Sequence, residues 1–97
     1  MIITILEGHV PANRWNDFEN SYHSVIKHVP AQLKETFLIQ DENESTLWRV
    51  ISVWKNREEF ETIKFDSVFH TCVDLYRSVG VECTRRIFNV KGHHIQV

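Results

Sequence analysis

Cysteine, proline and glycine are scarce in this chain, and their scarcity excludes several classes of protein. The 97 residues include two cysteines, two prolines and three glycines. Two cysteines cannot supply the four thiolates of an iron–sulfur cluster or the disulfide framework of a small secreted domain. Cys72 and Cys83 also lack the CxxC spacing of a zinc or redox site, so we expect them to be small core or strand residues. The low proline and glycine content excludes collagen-like and low-complexity chains.

Long apolar runs are also missing, which bears on location. The longest runs have three residues, at positions 1–3 and 37–39, whereas a membrane-spanning helix needs about 20 apolar residues. A secretory signal begins with basic residues, but the first basic residue here is Arg14, which follows polar Glu7 and His9. We therefore expect no membrane partner, a cytoplasmic location and a single domain over residues 1–97.

A strong charge of either sign is absent, and so are nucleotide-binding and RNA-binding motifs. The formal net charge is -2, which does not favour a nucleic-acid partner. An RNA-recognition motif needs glycine and paired aromatic residues on a strand that in this chain reads LWRVISVW. No GxxxxGK[ST], GxGxxG or GxSxG motif occurs either. We therefore expect no nucleic-acid partner, no phosphate-binding loop and no serine hydrolase site.

Alternation of apolar and β-branched residues predicts four strands. They fall at residues 2–10, 35–40, 46–55 and 81–90. A five-residue polar turn, DENES, separates the second strand from the third. These two strands are therefore predicted to form a hairpin.

Apolar residues at helical spacing predict two helices. The first helix is expected to follow a cap at Asn13, to carry its apolar stripe over residues 15–29 and to end before the next proline. Asn56, with a glutamate three positions later, has capping-box spacing and starts the second. The second stripe is interrupted near residues 65–67 and ends at Gly80, which indicates a kinked helix or two consecutive helices.

The resulting order, β-α-β-β-α-β, is that of the α+β ferredoxin-like fold, an antiparallel sheet with two helices on one face. The third strand is apolar on both sides, so neither side resembles a solvent face. One side carries Trp48, Val50 and Trp54, and the other carries Leu47, Ile51 and Val53. We therefore predict a homodimer in which two such sheets pack face to face.

The segment LWRVISVWKNREEFETIKFDSVF, residues 47–69, resembles the strand-to-helix segment of antibiotic biosynthesis monooxygenase (ABM) domains. In that family an apolar strand ends in Val-Trp and leads through a polar turn into a helix. The preceding strand, proline and helix match the same layout. The resemblance implies a dimeric α+β barrel with a small-molecule pocket between sheet and helices. Some members oxidise hydroxyaromatics or quinols with dioxygen and no cofactor, and others degrade haem.

The chain departs from the family at the positions that carry known chemistry. Haem-degrading members have an asparagine where this chain has Leu6 or Glu7, a tryptophan at the position of Ile63 and a haem-ligating histidine at that of Val73. Many quinol-oxidising members have a histidine at the position of Ile63. We therefore expect no haem or other cofactor. Two functions stay open: a cofactor-independent monooxygenase-like protein that takes a small aromatic or quinol-type molecule, and a non-catalytic small-molecule-binding or structural dimer.

A base is needed to deprotonate a phenol or quinol, and histidine suits this role near neutral pH. His9 is a candidate catalytic residue because Glu7 lies on the same side of the first strand. His70, on the second helix, is the other candidate. Both residues could instead face solvent. His93 and His94 diverge on an extended chain, so no metal site is expected.

Five residues are candidates for substrate binding. Trp15 and Tyr22 share the apolar face of the first helix, where they line a pocket or belong to the core. Trp48 lies on the third strand, and Phe69 precedes His70 on the second helix. Arg85 could bind a phenolate or carboxylate from the last strand, with a solvent or dimer salt bridge as the alternative.

Overall fold

The computed structural model describes residues 1–58 and 73–97. In this part of the chain four strands and one long helix are complete. They are β1 (Ile2–His9), α1 (Trp15–Val25), β2 (Leu33–Gln40), β3 (Leu47–Trp54) and β4 (Thr84–Asn89). Residues 57–58 and 73–77 are helical as well. None of the described helices is long and apolar enough to cross a membrane.

The four strands form one sheet in the order β2-β3-β1-β4, and each neighbouring pair is antiparallel. The helices pack on one face. This arrangement confirms the predicted α+β ferredoxin-like fold, including the β2–β3 hairpin. In the turn of that hairpin the Asp41 carboxylate accepts hydrogen bonds from the backbone N–H groups of Asn43 and Glu44, at 3.0 and 2.8 Å. These bonds lower the pKa of Asp41 and hold the turn closed.

The start of the first helix differs from the prediction. Asn13 does not cap it, because a 3₁₀ turn over Ala12–Arg14 precedes α1 and the N-cap position is Arg14. Extended Pro11 begins this turn, and the Arg14 N–H donates to the Pro11 carbonyl oxygen at 2.9 Å. Asn13 therefore lies inside the turn, one residue too early to cap α1. A second 3₁₀ turn, Ile26–His28, follows α1 before Pro30.

Strand ends also shift by one to three residues. β2 begins at Leu33, two residues before the predicted start, with an irregular register between Leu33 and Glu35. β4 occupies only Thr84–Asn89 of the predicted 81–90. The irregular start of β2 interrupts the alternation of side chains between the two faces of the sheet. A sequence pattern of period two therefore does not reveal where this strand begins.

The second helix ends as predicted. Residues 73–77 are helical, and Gly80 adopts a φ of +77°, the left-handed conformation that favours glycine. The Val81 N–H donates to the Tyr76 carbonyl oxygen at 3.0 Å, which satisfies one of the last carbonyls of the helix. The predicted interruption near residues 65–67 lies outside the described residues.

Residue parity decides which side of the sheet meets the helices. Even-numbered residues of β1 and β3, such as Leu6, Val50 and Trp54, are buried beneath the helices. The odd-numbered residues of the same strands, apart from buried Leu47, lie on the opposite, open face and are half-buried or exposed. An aromatic cluster under α1 consists of Trp15, Phe18, Trp48 and Tyr76.

Candidate functional site

A small cavity lies between the helix-facing side of the sheet and α1. Its volume is about 30 Å³, and apolar side chains form most of its wall. About 10–15 Å³ is needed to hold one water molecule, so this cavity can hold no more than one or two water molecules. We call it the inner cavity. The strands supply its floor, and the end of α1 with the following 3₁₀ turn supplies one side.

Three hydroxyl residues cross the floor of the inner cavity in a row. In the strand register Thr4 of β1 pairs with Ser52 of β3, and Ser52 pairs with Thr36 of β2. Directly paired residues share a face of the sheet, and all three line the cavity. The sheet thus places a polar stripe across an otherwise apolar chamber. We call Thr4, Ser52 and Thr36 the hydroxyl row.

A larger groove runs along the β2 edge, outside the inner cavity. Its volume is about 570 Å³, within the 300–1,000 Å³ range usual for ligand sites. Tyr22, Ile26 and Thr36 line both the groove and the inner cavity. We call it the outer groove. The two spaces therefore meet at these three residues.

The Tyr22 hydroxyl donates a hydrogen bond to Thr36 Oγ1 at 3.2 Å, and this bond belongs to the shared boundary of the two spaces. A distance of 3.2 Å is long for O–H···O, where about 2.7–2.8 Å is typical. The contact is therefore a weak one. Parting Tyr22 from Thr36 would join the inner cavity to the outer groove.

We expect Tyr22→Phe to lower the free energy of unfolding by about 1 kcal/mol, because Thr36 loses its hydrogen-bond donor. Urea denaturation would measure the change. Thr36→Val, which keeps the shape but removes the acceptor, is the matched variant. If the bond accounts for the loss, the double variant should be no less stable than the poorer single one. Fully additive losses would show that the two hydroxyls act independently.

Trp48 lines the outer groove, while most of its indole belongs to the aromatic cluster. It is 6% exposed, and its Nε1–H has no acceptor in the part of the chain that the structure describes. Buried indole N–H groups usually find one. Trp15, by contrast, donates from Nε1 to the Val10 carbonyl oxygen at 2.8 Å and packs as a core residue.

Of the two candidate histidines, the structure describes His9. His9 is exposed at the end of β1, where its ring nitrogen Nδ1 lies 3.0 Å from Thr46 Oγ1. It does not line either space. His70 and Phe69 lie outside the described residues. The outer groove instead contains His23, whose ring packs edge-on against Tyr22 and lies 4.0 Å from Glu19 Oε1.

Arg85 lies on the helix-facing side of β4, paired with Leu6, and its side chain is exposed. It does not line the inner cavity. Its neighbour Arg86 lies on the open face, with its guanidinium 5.2 Å from the centre of the Phe88 ring. The divergence of these two arginines follows from strand alternation.

The described histidine, cysteine and acidic side chains are the ones that bear on metal and thiol chemistry. Within 1–58 and 73–97, no group of three histidine, cysteine or acidic side chains could hold a metal ion. Cys83 is a free, half-buried cysteine packed against the core, and burial raises the pKa of its thiol. Its protonated form is favoured, so the residue behaves as a small apolar side chain.

The sequence pointed to Tyr22, which lines the inner cavity, but not to the hydroxyl row on its floor. Thr4, Thr36 and Ser52 show no motif in the chain, because strand register alone brings them together. His23 was detectable as a helix residue beside Tyr22 and four positions after Glu19. Its location at the outer groove depends on the position of β2, which the sequence alone does not give.

Several solved structures have this fold. The chain superposes on a protein from Deinococcus radiodurans assigned to the antibiotic biosynthesis monooxygenases, with a TM-score of 0.74 and 13% identity, covering 100% of this chain and 98% of the other. A variant of SnoaB, a cofactor-independent oxygenase from Streptomyces nogalater, gives 0.71 and 12%, with 95% of both chains covered. A variant of MhuD with two manganese protoporphyrin IX molecules per active site gives 0.78 and 15%, covering 99% and 100%.

No protein-family model matches the chain, and no curated protein matches it in sequence. At 12–15% identity the structural similarities establish the fold. They confirm the ABM-like resemblance at that level: the class is an α+β protein with the ABM monooxygenase-like fold. Because one fold carries many functions, the chemistry must be argued from the site.

Proposed function

We propose that this protein binds a small, largely apolar aromatic molecule of the quinol type between its sheet and α1. The observation that carries the proposal is the outer groove of about 570 Å³, which adjoins an apolar inner cavity with one polar stripe. Concave, mostly apolar sites with few polar groups are typical of small-molecule binding. The inner cavity alone is too small for an aromatic ring, so binding requires Tyr22 to part from Thr36.

The reaction that fits this site is oxidation of the bound molecule by dioxygen without a cofactor, as SnoaB's description as a cofactor-independent oxygenase suggests. A base removes a proton from the hydroxyaromatic, and the electron-rich anion reduces dioxygen. The quinol gives up two electrons and two protons and becomes the quinone, and dioxygen takes up both and leaves as hydrogen peroxide. His9 and His70 are the bases proposed from sequence, and His23 at the outer groove is the one that the geometry adds.

A non-catalytic protein of the same fold is the second candidate. Two observations favour it: the resting inner cavity admits no more than one or two waters, and no histidine lies among its described lining residues. In that case the molecule would bind a ligand without turnover, or its own aromatic residues would fill the space and the role would be structural.

We also propose that the open face of the sheet pairs with a second copy of the chain. Seven apolar side chains lie on it: Ile3, Ile5, Phe37, Ile39, Ile51, Val53 and Phe88. Three of them are 38–47% exposed, and contiguous exposed apolar surface of this kind marks interaction sites. Glu7 and Arg49 form an ion pair at 2.6 Å on the same face, so these two charges already neutralise each other.

The function is tested by thermal denaturation with a panel of quinols and polycyclic phenols, followed by oxygen uptake. A ligand at 100 times its dissociation constant stabilises by about 2.7 kcal/mol, which should raise the midpoint by about 10 °C or more. Oxygen consumption with the stabilising compound would support the enzyme, and a shift without consumption would support the non-catalytic binder. A panel that leaves the midpoint unchanged would contradict ligand binding.

A further inference from the structure

We propose that the open face of the sheet carries a second binding site, in which Arg86 binds the carboxylate of an aliphatic acid and apolar strand residues bind its chain. The site lies on the opposite side of the sheet from the inner cavity, so it does not depend on the aromatic ligand proposed above. Three observations carry it: a pocket on this face, the surroundings of Arg86 and the register of the strands.

The pocket on the open face has a volume of about 390 Å³, within the range of about 300–1,000 Å³ usual for ligand sites. We call it the open-face pocket. Three strands supply branched apolar side chains to its wall, which are Ile5 of β1, Ile39 of β2 and Ile51 of β3. Thr84 and Arg86 of β4 line its other side. A strip of apolar surface therefore leads across the sheet to two polar residues of β4.

The two cations that line the open-face pocket differ in their surroundings. The Arg49 guanidinium lies 2.6 Å from a Glu7 carboxylate oxygen and 3.9 Å from one of Asp41. Arg86 forms no ion pair with the described part of the chain, and its guanidinium lies 5.2 Å from the centre of the Phe88 ring. Contact with a ring attracts a cation but does not neutralise its charge. Arg86 therefore provides the positive charge that can attract an anion to this face.

The strand register sets the length of the ligand. Arg86 pairs with Ile5, and Ile5 pairs with Ile51, so these three residues form one row across β4, β1 and β3. Neighbouring strands are about 4.8 Å apart, so the row spans about 10 Å. A carboxylate at Arg86 would place a chain of that length over the two isoleucines. The extended chain of octanoate matches this length, and we therefore expect a medium-chain fatty acid.

The polar end of the open-face pocket suits a carboxylate better than an alcohol or an amine. A guanidinium presents two parallel N–H donors to the two oxygens of a carboxylate, and such charge-assisted pairs are stronger than neutral hydrogen bonds. Thr84 lies two residues before Arg86 on the same side of β4, and its hydroxyl adds a donor. An alcohol would offer Arg86 one uncharged oxygen, and an amine would be repelled.

A second copy on the open face, as proposed above, would enclose this ligand. Face-to-face packing removes Arg86 from water, which is unfavourable for a charge without a counter-charge. A bound carboxylate supplies that counter-charge, and its chain fills apolar space between the two sheets. This consequence rests on the proposed pairing: octanoate should strengthen the dimer.

Calorimetry with octanoate, 1-octanol and octylammonium tests the site, because these probes share a chain and differ in the charge of the head group. For the native protein we expect octanoate to bind about tenfold more tightly than 1-octanol, and octylammonium to bind more weakly than either. Arg86→Gln should bind octanoate no better than 1-octanol. Arg86→Lys keeps the charge but loses the paired donors, so it should show an intermediate preference. Lys27→Gln removes an equal charge from an exposed residue of the 3₁₀ turn after α1 and should keep the native preference.

Equal binding of octanoate and 1-octanol to the native protein would overturn the site. A native preference in Arg86→Gln would overturn it as well, because the anion would then bind elsewhere. Circular dichroism should show that the Arg86 variants keep their fold, since this side chain is exposed.

Sedimentation equilibrium with and without octanoate separates the site from the pairing of the open face. A dimer at least about tenfold tighter with octanoate, in the native protein but not in Arg86→Gln, supports the enclosed site. A protein that stays monomeric yet binds octanoate through Arg86 supports the site and contradicts the pairing. If octanoate has no effect and Glu35→Gln weakens the dimer, Glu35 of the partner subunit is the counter-charge of Arg86 and the carboxylate site is overturned.

Discussion

Replacing Ile51 with glutamate should convert the proposed dimer to a monomer at micromolar concentration. Ile51 occupies the middle of the open face, where it pairs with Ile5 of β1 on one side and Phe37 of β2 on the other. In a face-to-face dimer the new carboxylate would be buried without a partner, which costs about 3–5 kcal/mol. A two-fold interface contains the substitution twice. We therefore expect the dimer to weaken at least about 100-fold.

Sedimentation equilibrium of the native and variant proteins measures this change. Asn20→Glu is the matched control, because it adds the same charge on the exposed side of α1, away from the open face. It should leave the dimer intact. Circular dichroism should show that Ile51→Glu keeps its fold, since Ile51 is only half-buried in the isolated chain. A native protein that sediments as a monomer, or an unchanged dissociation constant in Ile51→Glu, would rule out pairing through this face.

Element order and the overall fold were predictable from sequence because apolar residues recur with a different period in strands and in helices. Period two at residues 47–54 and helical spacing from Trp15 onward can be told apart in the chain, and the polar DENES turn leaves only a hairpin between β2 and β3. Gly80 was likewise recognisable as a helix end. Boundaries were less predictable, because the 3₁₀ turn at Ala12–Arg14 and the irregular start of β2 depend on local hydrogen bonds.

The candidate site was predictable only in part. Alternation separates Trp48 and Ser52 from Ile51, but it cannot show which side the helices cover. Once they cover the even side, Ser52 lies in a cavity and Ile51 on the open face. Tyr22 was recognisable as a residue of the inner helix face, whereas its bond to Thr36 depends on the position of β2. The exposed placement of Arg85 also depends on tertiary packing.

Phe18→Ala should lower the free energy of unfolding by about 3–5 kcal/mol, the usual result of truncating a buried phenylalanine. Phe18 is fully buried, and its ring centre lies 4.8 Å from that of Tyr76 and 5.8 Å from that of Trp48. The variant loses apolar burial and both ring contacts and leaves a cavity between α1 and the sheet. Because small domains are stable by about 5–15 kcal/mol, this is a large fraction of the total.

Urea denaturation measures the loss, and Phe18→Leu is the matched variant because it restores most of the apolar volume without the ring. It should lose less than half as much as Phe18→Ala. A loss below about 1 kcal/mol in the alanine variant would show that the sheet holds α1 without this residue. The result also bears on the site, since Tyr22 lies one helical turn after Phe18 on the same buried face. If Phe18 fixes α1 against the sheet, a ligand that stabilises the native protein should stabilise Phe18→Leu nearly as much and Phe18→Ala much less, because Tyr22 and Thr36 no longer form a defined boundary.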